Sequence, residues 1–156
     1  MERTLLGQLL TKRGIAFGVF DTKILIPCDH VYGHDRNTFR IMKELNEHGT
    51  PSLRHPSVKA ADKFRLFMDH YSPPPTAETA ALHFQQRLLA RELNLTLFDE
   101  GSGVGHQVAL ERLASPWEIA VGVDTHTCTI GAIGALGLHQ PPIVVAEALQ
   151  NGCFPF

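Results

Sequence analysis

Three short apolar, β-branched runs, TKILIPC (22–28), KFRLFM (63–68) and EIAVGV (118–123), each end on an aspartate, at Asp29, Asp69 and Asp124. Runs of this length without polar alternation read as strands buried on both faces, the habit of a parallel sheet. Between them the apolar spacing switches to helical. Leu5, Leu6, Leu9 and Leu10 predict a first helix over 4–12, stopped by Gly14. A second fits 36–47, with Asp35 as N-cap, Phe39, Ile41, Met42 and Leu45 as its apolar side and Gly49 past its end. The clearest helix spans 76–94, with Ala77, Ala81, Phe84, Leu88 and Leu89 as the expected buried stripe and Gln85, Gln86, Arg87 and Arg91 facing solvent. A strand over 95–98, a short helix from His106 to about Arg112, a small and glycine-laced stretch over 127–136 and a helix over 143–149 complete the reading. This alternation predicts one α/β domain over 1–156, in three α/β/α layers with a largely parallel sheet. In such sheets the ligand crevice lies at the carboxyl ends of the strands.

Composition narrows the function classes. A net charge of −2 gives no overall basic field, so capture of nucleic acid is not expected. No stretch approaches the ~20 consecutive apolar residues of a membrane span, and the start resembles no signal peptide, so a soluble cytoplasmic protein without membrane contact is expected. Cys28, Cys128 and Cys153 are odd in number and widely spaced, which suggests neither a disulfide framework nor a zinc ribbon.

The histidines say more. Three of the nine touch an aspartate directly, at Asp29-His30, His34-Asp35 and Asp69-His70. With His106 and with Asp124-Thr125-His126 they recur where predicted strands end. An imidazole oriented by a carboxylate has a fixed tautomer, which suits it to donate a proton to a leaving hydroxyl or to take one from carbon. Each pair alone also reads as a helix cap or a satisfied loop. The glycines of TCTIGAIGALG (127–137) are spaced by three and do not make the dinucleotide fingerprint. Small residues there would let backbone N–H groups and the hydroxyls of Thr125 and Thr127 approach an anionic ligand, or would simply pack a helix tightly on its neighbour.

The segment GVGHQVALERLASPWEIAVGVDTHTCTIGAIGALG (103–137) resembles the GxxHQV and VGxDSHTxTxGAxGAxG signature of the aconitase and isopropylmalate dehydratase family. YGHDRNTFRIMKEL is similar to that family's HDxT loop and following helix, and FRLFMDHYSPPPTAE to its FDHxxPP stretch. With the first helix included, the likeness covers essentially the whole chain. It implies an aconitase-like amino-terminal domain and a hydro-lyase reaction that moves a hydroxyl on a small di- or tricarboxylate. By position Asp69 and His70 match the acid pair that protonates the departing hydroxyl, His106 and Asp124 a second pair near the reacting oxygen, and His126 the DSH histidine. His34 and Asp35 fall at the substrate-contacting early loop, and Thr125 replaces the usual serine.

The resemblance also implies an iron–sulfur cubane, a serine base and carboxylate-clamping arginines that the family carries in later segments. One or two scattered thiols cannot hold a cubane that needs three or more. No cofactor and no metal are therefore expected on this chain alone, and a cluster only where a partner supplies the cysteines. Arg36, Arg40 and Arg65 are candidate carboxylate ligands or plain surface charges. Three readings follow: a stand-alone lyase or isomerase working by acid–base chemistry without a cluster; one subunit of a split hydro-lyase; or a non-catalytic fragment or binding module. The expected partners are a small carboxylate substrate and either a second copy or a complementary hydro-lyase subunit.

Overall fold

The computed structural model describes residues 4–15, 24–48 and 58–156. The start of the 22–28 run and Gly49 lie outside them. Five strands, β2 (His30–His34), β3 (Phe64–Phe67), β4 (Thr96–Phe98), β5 (Ile119–Gly122) and β6 (Leu136–His139), form one sheet in the order β4-β3-β2-β5-β6. Every pairing is parallel, with Val31 opposite Phe64 and Val121, Arg65 opposite Thr96, and Ile119 opposite Leu136. The expected α/β architecture with a largely parallel sheet is what the chain adopts.

Helices cover both faces. Side chains alternate across the strands. Val31, Phe64, Leu66, Ile119 and Val121 pack on one side with α1 (Leu5–Lys12), α2 (Thr38–His48) and α5 (Pro142–Asn151), through Leu9, Leu10, Ile41, Leu45, Val145 and Leu149. On the other side Tyr32, Phe67 and Ala120 meet Val108, Ala109, Ile130 and Ala135 from the short helix α4 (Gly105–Val108), the π-turn after it and the 3-10 turn Thr125–Ile133. Local chemistry fixes the helix ends. The Thr4 hydroxyl caps α1 by accepting from Gly7 N–H, Thr76 and Thr79 form a reciprocal capping box on α3 (Ala77–Glu92), and Pro142 starts α5. Strand β6 lies hard against the 3-10 turn: a Cβ on Gly137 would sit 2.0 Å from the Thr127 carbonyl oxygen.

Three expectations are corrected. The 22–28 run is not a strand of the main sheet, because Leu25–Pro27 (β1) pairs antiparallel with Cys153–Pro155 (β7) in a separate ribbon. Proline lacks the N–H that a central strand needs on both sides. The strand that enters the sheet is the next segment, HVYGH, so Asp29 and His30 sit at the sheet's amino end. Helix α3 buries His83, Gln86 and Ala90, while Phe84 and Leu88 are 61% and 48% exposed. Its inner face is polar because it covers a carboxylate. Among the described residues no helix is long and apolar enough to cross a membrane.

Candidate active site

The chain leaves β2 toward β3 and β4 on one side of the sheet, and returns to place β5 and β6 on the other. That reversal opens a crevice at the carboxyl ends of β2 and β5. His34 is the last residue of β2, Asp69-His70 follow β3, His106 stands in α4 beyond β4, and Asp124 follows β5. His34, Asp69, His106, Asp124 and Thr127 line a narrow, partly open pocket of about 20 Å³. An adjoining open cleft of about 250 Å³ is lined by His34, Arg36, Asn37, Arg40, His70, Asp124 and Thr125. Side chains singled out from four separate stretches of sequence therefore share one crevice.

The first constellation centres on His70. Its Nδ1 lies 2.7 Å from Asp69 Oδ1; a carboxylate only accepts, so Nδ1–H donates and Nε2 is left for a ligand. Asp69 is held in turn by the Gly105 N–H at 2.6 Å. Glycine is required there, since a Cβ would stand 2.7 Å from Phe67 Cγ and 2.9 Å from Asp69 Oδ2. The His34 ring stacks on His70, centroids 3.9 Å apart and 13° from parallel.

Beneath this pair lies Asp35, fully buried. It accepts from Arg36 N–H at 2.9 Å, Tyr71 N–H at 2.9 Å and His70 N–H at 3.3 Å, and it faces His83 Nε2 at 3.1 Å. The other ring nitrogen of His83 meets Glu100 at 2.7 Å, and Arg87 clamps Glu100 and Asp99. Both nitrogens of His83 thus face carboxylate oxygens. Asp35 had been expected to contact substrate. Its enclosure gives it another place, as a hub under the His70 backbone. His83, Gln86 and Glu100 were missed from the sequence; the one available signal was a polar i, i+3 pair, His83 and Gln86, inside an apolar-looking helix.

The second constellation centres on Asp124. His106 Nδ1 lies 3.3 Å from one of its oxygens and His126 Nδ1 3.0 Å from the other, and the two rings stack at 4.7 Å. Burial opposes ionisation of Asp124, but the backbone N–H and ring of His126, and the charge of the two imidazoles, hold its carboxyl below the usual range. Thr127 is buried and donates its hydroxyl to the Asp124 carbonyl at 2.6 Å, so the hydrogen expected for a substrate is already spent. Thr125 is exposed on the open cleft, with no hydrogen bond from its hydroxyl among the described residues.

Two expected participants lie elsewhere. Asp29 accepts from Ile119 N–H and pairs with Arg13 at 2.8 Å, and His30 meets Glu118 at 2.9 Å, so this pair ties down the amino end of the sheet. Arg65 is spent on the carbonyls of Asp62 and Phe64, also at that end.

The donor set also bears on metals and clusters. Ligand atoms of His106, Asp124 and His126 lie within 4.8 Å of one another, as do those of His34, Asp35 and His70, so each trio could hold an ion; the first is the more accessible. A cubane does not fit. Of the three thiols, Cys28 is buried and its pKa is pushed up to about 11, chiefly by burial, and it adjoins Cys153 on the β1/β7 ribbon. Cys128 is exposed, its Sγ 3.5 Å from the Thr125 carbonyl oxygen, and lines neither cavity.

Asp35 makes the fold acid-sensitive. Burial would raise its pKa, but its contacts with His34, Tyr71 N–H, His83 and His70 N–H bring it from 3.8 down to about 2. A depressed carboxylate stabilises the fold above its unfolded pKa, and that contribution disappears as pH falls through the folded value. In urea denaturation the stability gap between the native chain and Asp35→Asn is expected to narrow by on the order of 2 kcal/mol between pH 4 and pH 2.

Comparison with known proteins gives a consistent result. The family model described as Aconitase family (aconitate hydratase) matches residues 19–153. A 3-isopropylmalate dehydratase large subunit 2 from Archaeoglobus fulgidus is 30% identical over 159 residues, covering 99% of this chain and 36% of the relative. The 3-isopropylmalate dehydratase large subunit of Pyrobaculum calidifontis is 33% identical over 90% of this chain and 33% of its own length. That of Elusimicrobium minutum is 36% identical over 69% of this chain. The chain therefore spans about a third of the length of the curated relatives it matches.

Proposed function

Because the chain belongs to the aconitase family, a family of hydro-lyases, we propose that its crevice supplies the acid–base part of a dehydration and rehydration on a small hydroxy acid. The observation that carries this is the pair of carboxylate-oriented imidazoles, His70 on Asp69 and His106 on Asp124, opening on adjoining cavities that share His34 and Asp124.

The chemistry follows from the tautomers. With Nδ1–H committed to Asp69, protonated His70 offers its Nε2 proton to a departing hydroxyl, which leaves as water. His106 Nδ1 lies 3.3 Å from Asp124, and with its proton on that nitrogen neutral His106 presents an Nε2 lone pair that accepts a proton or positions the reacting oxygen. His126, stacked on His106 and bound to the same carboxylate, keeps that ring in register. Return of the two protons and the hydroxyl in reverse order hydrates the double bond.

We favour completion of this site by a complementary hydro-lyase component. The thiols of this chain do not form a cubane site, the outer cleft is open, and the relatives carry the name large subunit. A cluster held by cysteines outside this chain would supply the Lewis acid for the hydroxyl. The second reading, cluster-free action by the chain alone, draws on the fact that each imidazole of the two dyads meets a carboxylate of this same chain.

Turnover of 3-isopropylmalate and of malate to the unsaturated acids separates the two. Activity of the isolated, metal-free chain supports the second reading, and activity only with the complementary component supports the first. In whichever assembly turns over, His70→Ala and His106→Ala are each expected to lower kcat by about 10²-fold or more with the fold retained. Full activity in both variants would rule out the proposed site.

A further inference from the structure

We propose that Arg36 and Arg40 form an anion subsite on the rim of the crevice that takes a carboxylate of the substrate; the inference rests on the hydro-lyase reading and extends it to substrate recognition. Both guanidinium-bearing residues line the open cleft together with His70, Asp124 and Thr125. Arg36 stands two residues before α2 and Arg40 lies in its first turn.

Nothing in the fold explains a cation at either position. The amino end of a helix carries partial positive charge, so basic side chains there are disfavoured, and α2 has no acidic residue in its first turn to compensate. Two like charges four residues apart add repulsion. Among the described residues neither guanidinium forms a salt bridge. Arg13 and Arg87 do, and further along the same helix Lys43 pairs with Glu47 at 3.7 Å.

The nearby carboxylates are not free to answer them. Asp35 is enclosed and receives four contacts, Asp69 is divided between His70 and Gly105, and Asp124 is divided between two histidines. A guanidinium presents a planar fork that matches a carboxylate bidentately. An anion seated between the two forks would relieve both the helix-end and the like-charge terms. His70 and Thr125 lie on the same cleft, so an acid anchored at this rim directs its remaining atoms toward the proposed proton donor. The volume of about 250 Å³ leaves room for a molecule of small-diacid size.

The test is calorimetric titration of the full chain with malate and, separately, with inorganic phosphate, for the native protein and for Arg36→Gln, Arg40→Gln, the double variant, Arg36→Lys and Arg91→Gln. Malate is expected to bind saturably and more weakly as salt rises. Each single glutamine substitution should weaken it about tenfold or more, the double variant should abolish it, and lysine should restore part of the loss. Melting temperatures of the glutamine variants are expected to equal or exceed that of the native chain, which a structural role would not allow. Unchanged malate affinity in the double variant, or no saturable binding by the native chain, overturns the proposal. Tighter binding of phosphate than of malate, lost in the same variants, overturns the carboxylate assignment. Arg91→Gln, an exposed arginine of α3 outside the crevice, is expected to bind malate like the native chain, and because calorimetry reads binding without turnover, a failed subsite and a failed hydro-lyase reading give different results.

Discussion

Gly137→Ala is expected to cost more than about 3 kcal/mol and to yield little folded protein, whereas Gly131→Ala, six residues earlier in the same glycine-laced stretch, leaves stability within about 0.5 kcal/mol. The contrast follows from what each new methyl would meet. At Gly137 it would lie 2.0 Å from the Thr127 carbonyl oxygen and 2.8 Å from Ile130 Cγ1. A flexible side chain can move aside; a backbone carbonyl inside a 3-10 turn cannot do so without dragging Asp124 and the histidines beside it. At Gly131 nothing stands within 4 Å. Urea denaturation of the two variants checks this, and a Gly137→Ala protein as stable as its parent would contradict the packing of β6 on the turn.

The second large effect concerns a residue with no access to solvent. His83→Leu is expected to destabilise the fold by about 3–5 kcal/mol, the cost of leaving a buried charge without its counterpart. Leucine is similar in size and apolar, so the loss would come from buried Asp35, left with its backbone donors alone. Combining His83→Leu with Asp35→Asn removes the stranded charge, and the double variant is expected to be at least about 1 kcal/mol more stable than the sum of the singles predicts. Strict additivity in that cycle would mean that the two groups do not act as a pair.

Legibility in the sequence followed the strength of local signals. KFRLFM and EIAVGV announced β3 and β5 because strands buried on both faces are continuously apolar. HVYGH did not, since two histidines, a tyrosine and a glycine carry no strand pattern, and its place comes from neighbours on both sides. TKILIPC carried a strand signal but went to a two-stranded ribbon, which tolerates a proline that the main sheet would not. Asp69-His70 and Asp124-His126 were readable because each directly follows a strand whose end marks the crevice. Asp35 was found as a residue, but its depth could not be. Burial is set by what packs above it, and the helix that does so presents histidine and glutamine where the apolar spacing pointed to phenylalanine and leucine.

That reversed face of α3 gives the helix an unusual hold on the protein. Near the crevice it is fastened through His83 and Gln86 to two carboxylates and one carbonyl, with grease reserved for its far end at Ala90. Such a latch resists urea, which gains little from uncovering groups already polar, yet it yields to acid, which discharges the catch itself. Acidification and denaturant would therefore dismantle this molecule in different orders, the floor beneath the histidines loosening first in one case and among the later parts in the other.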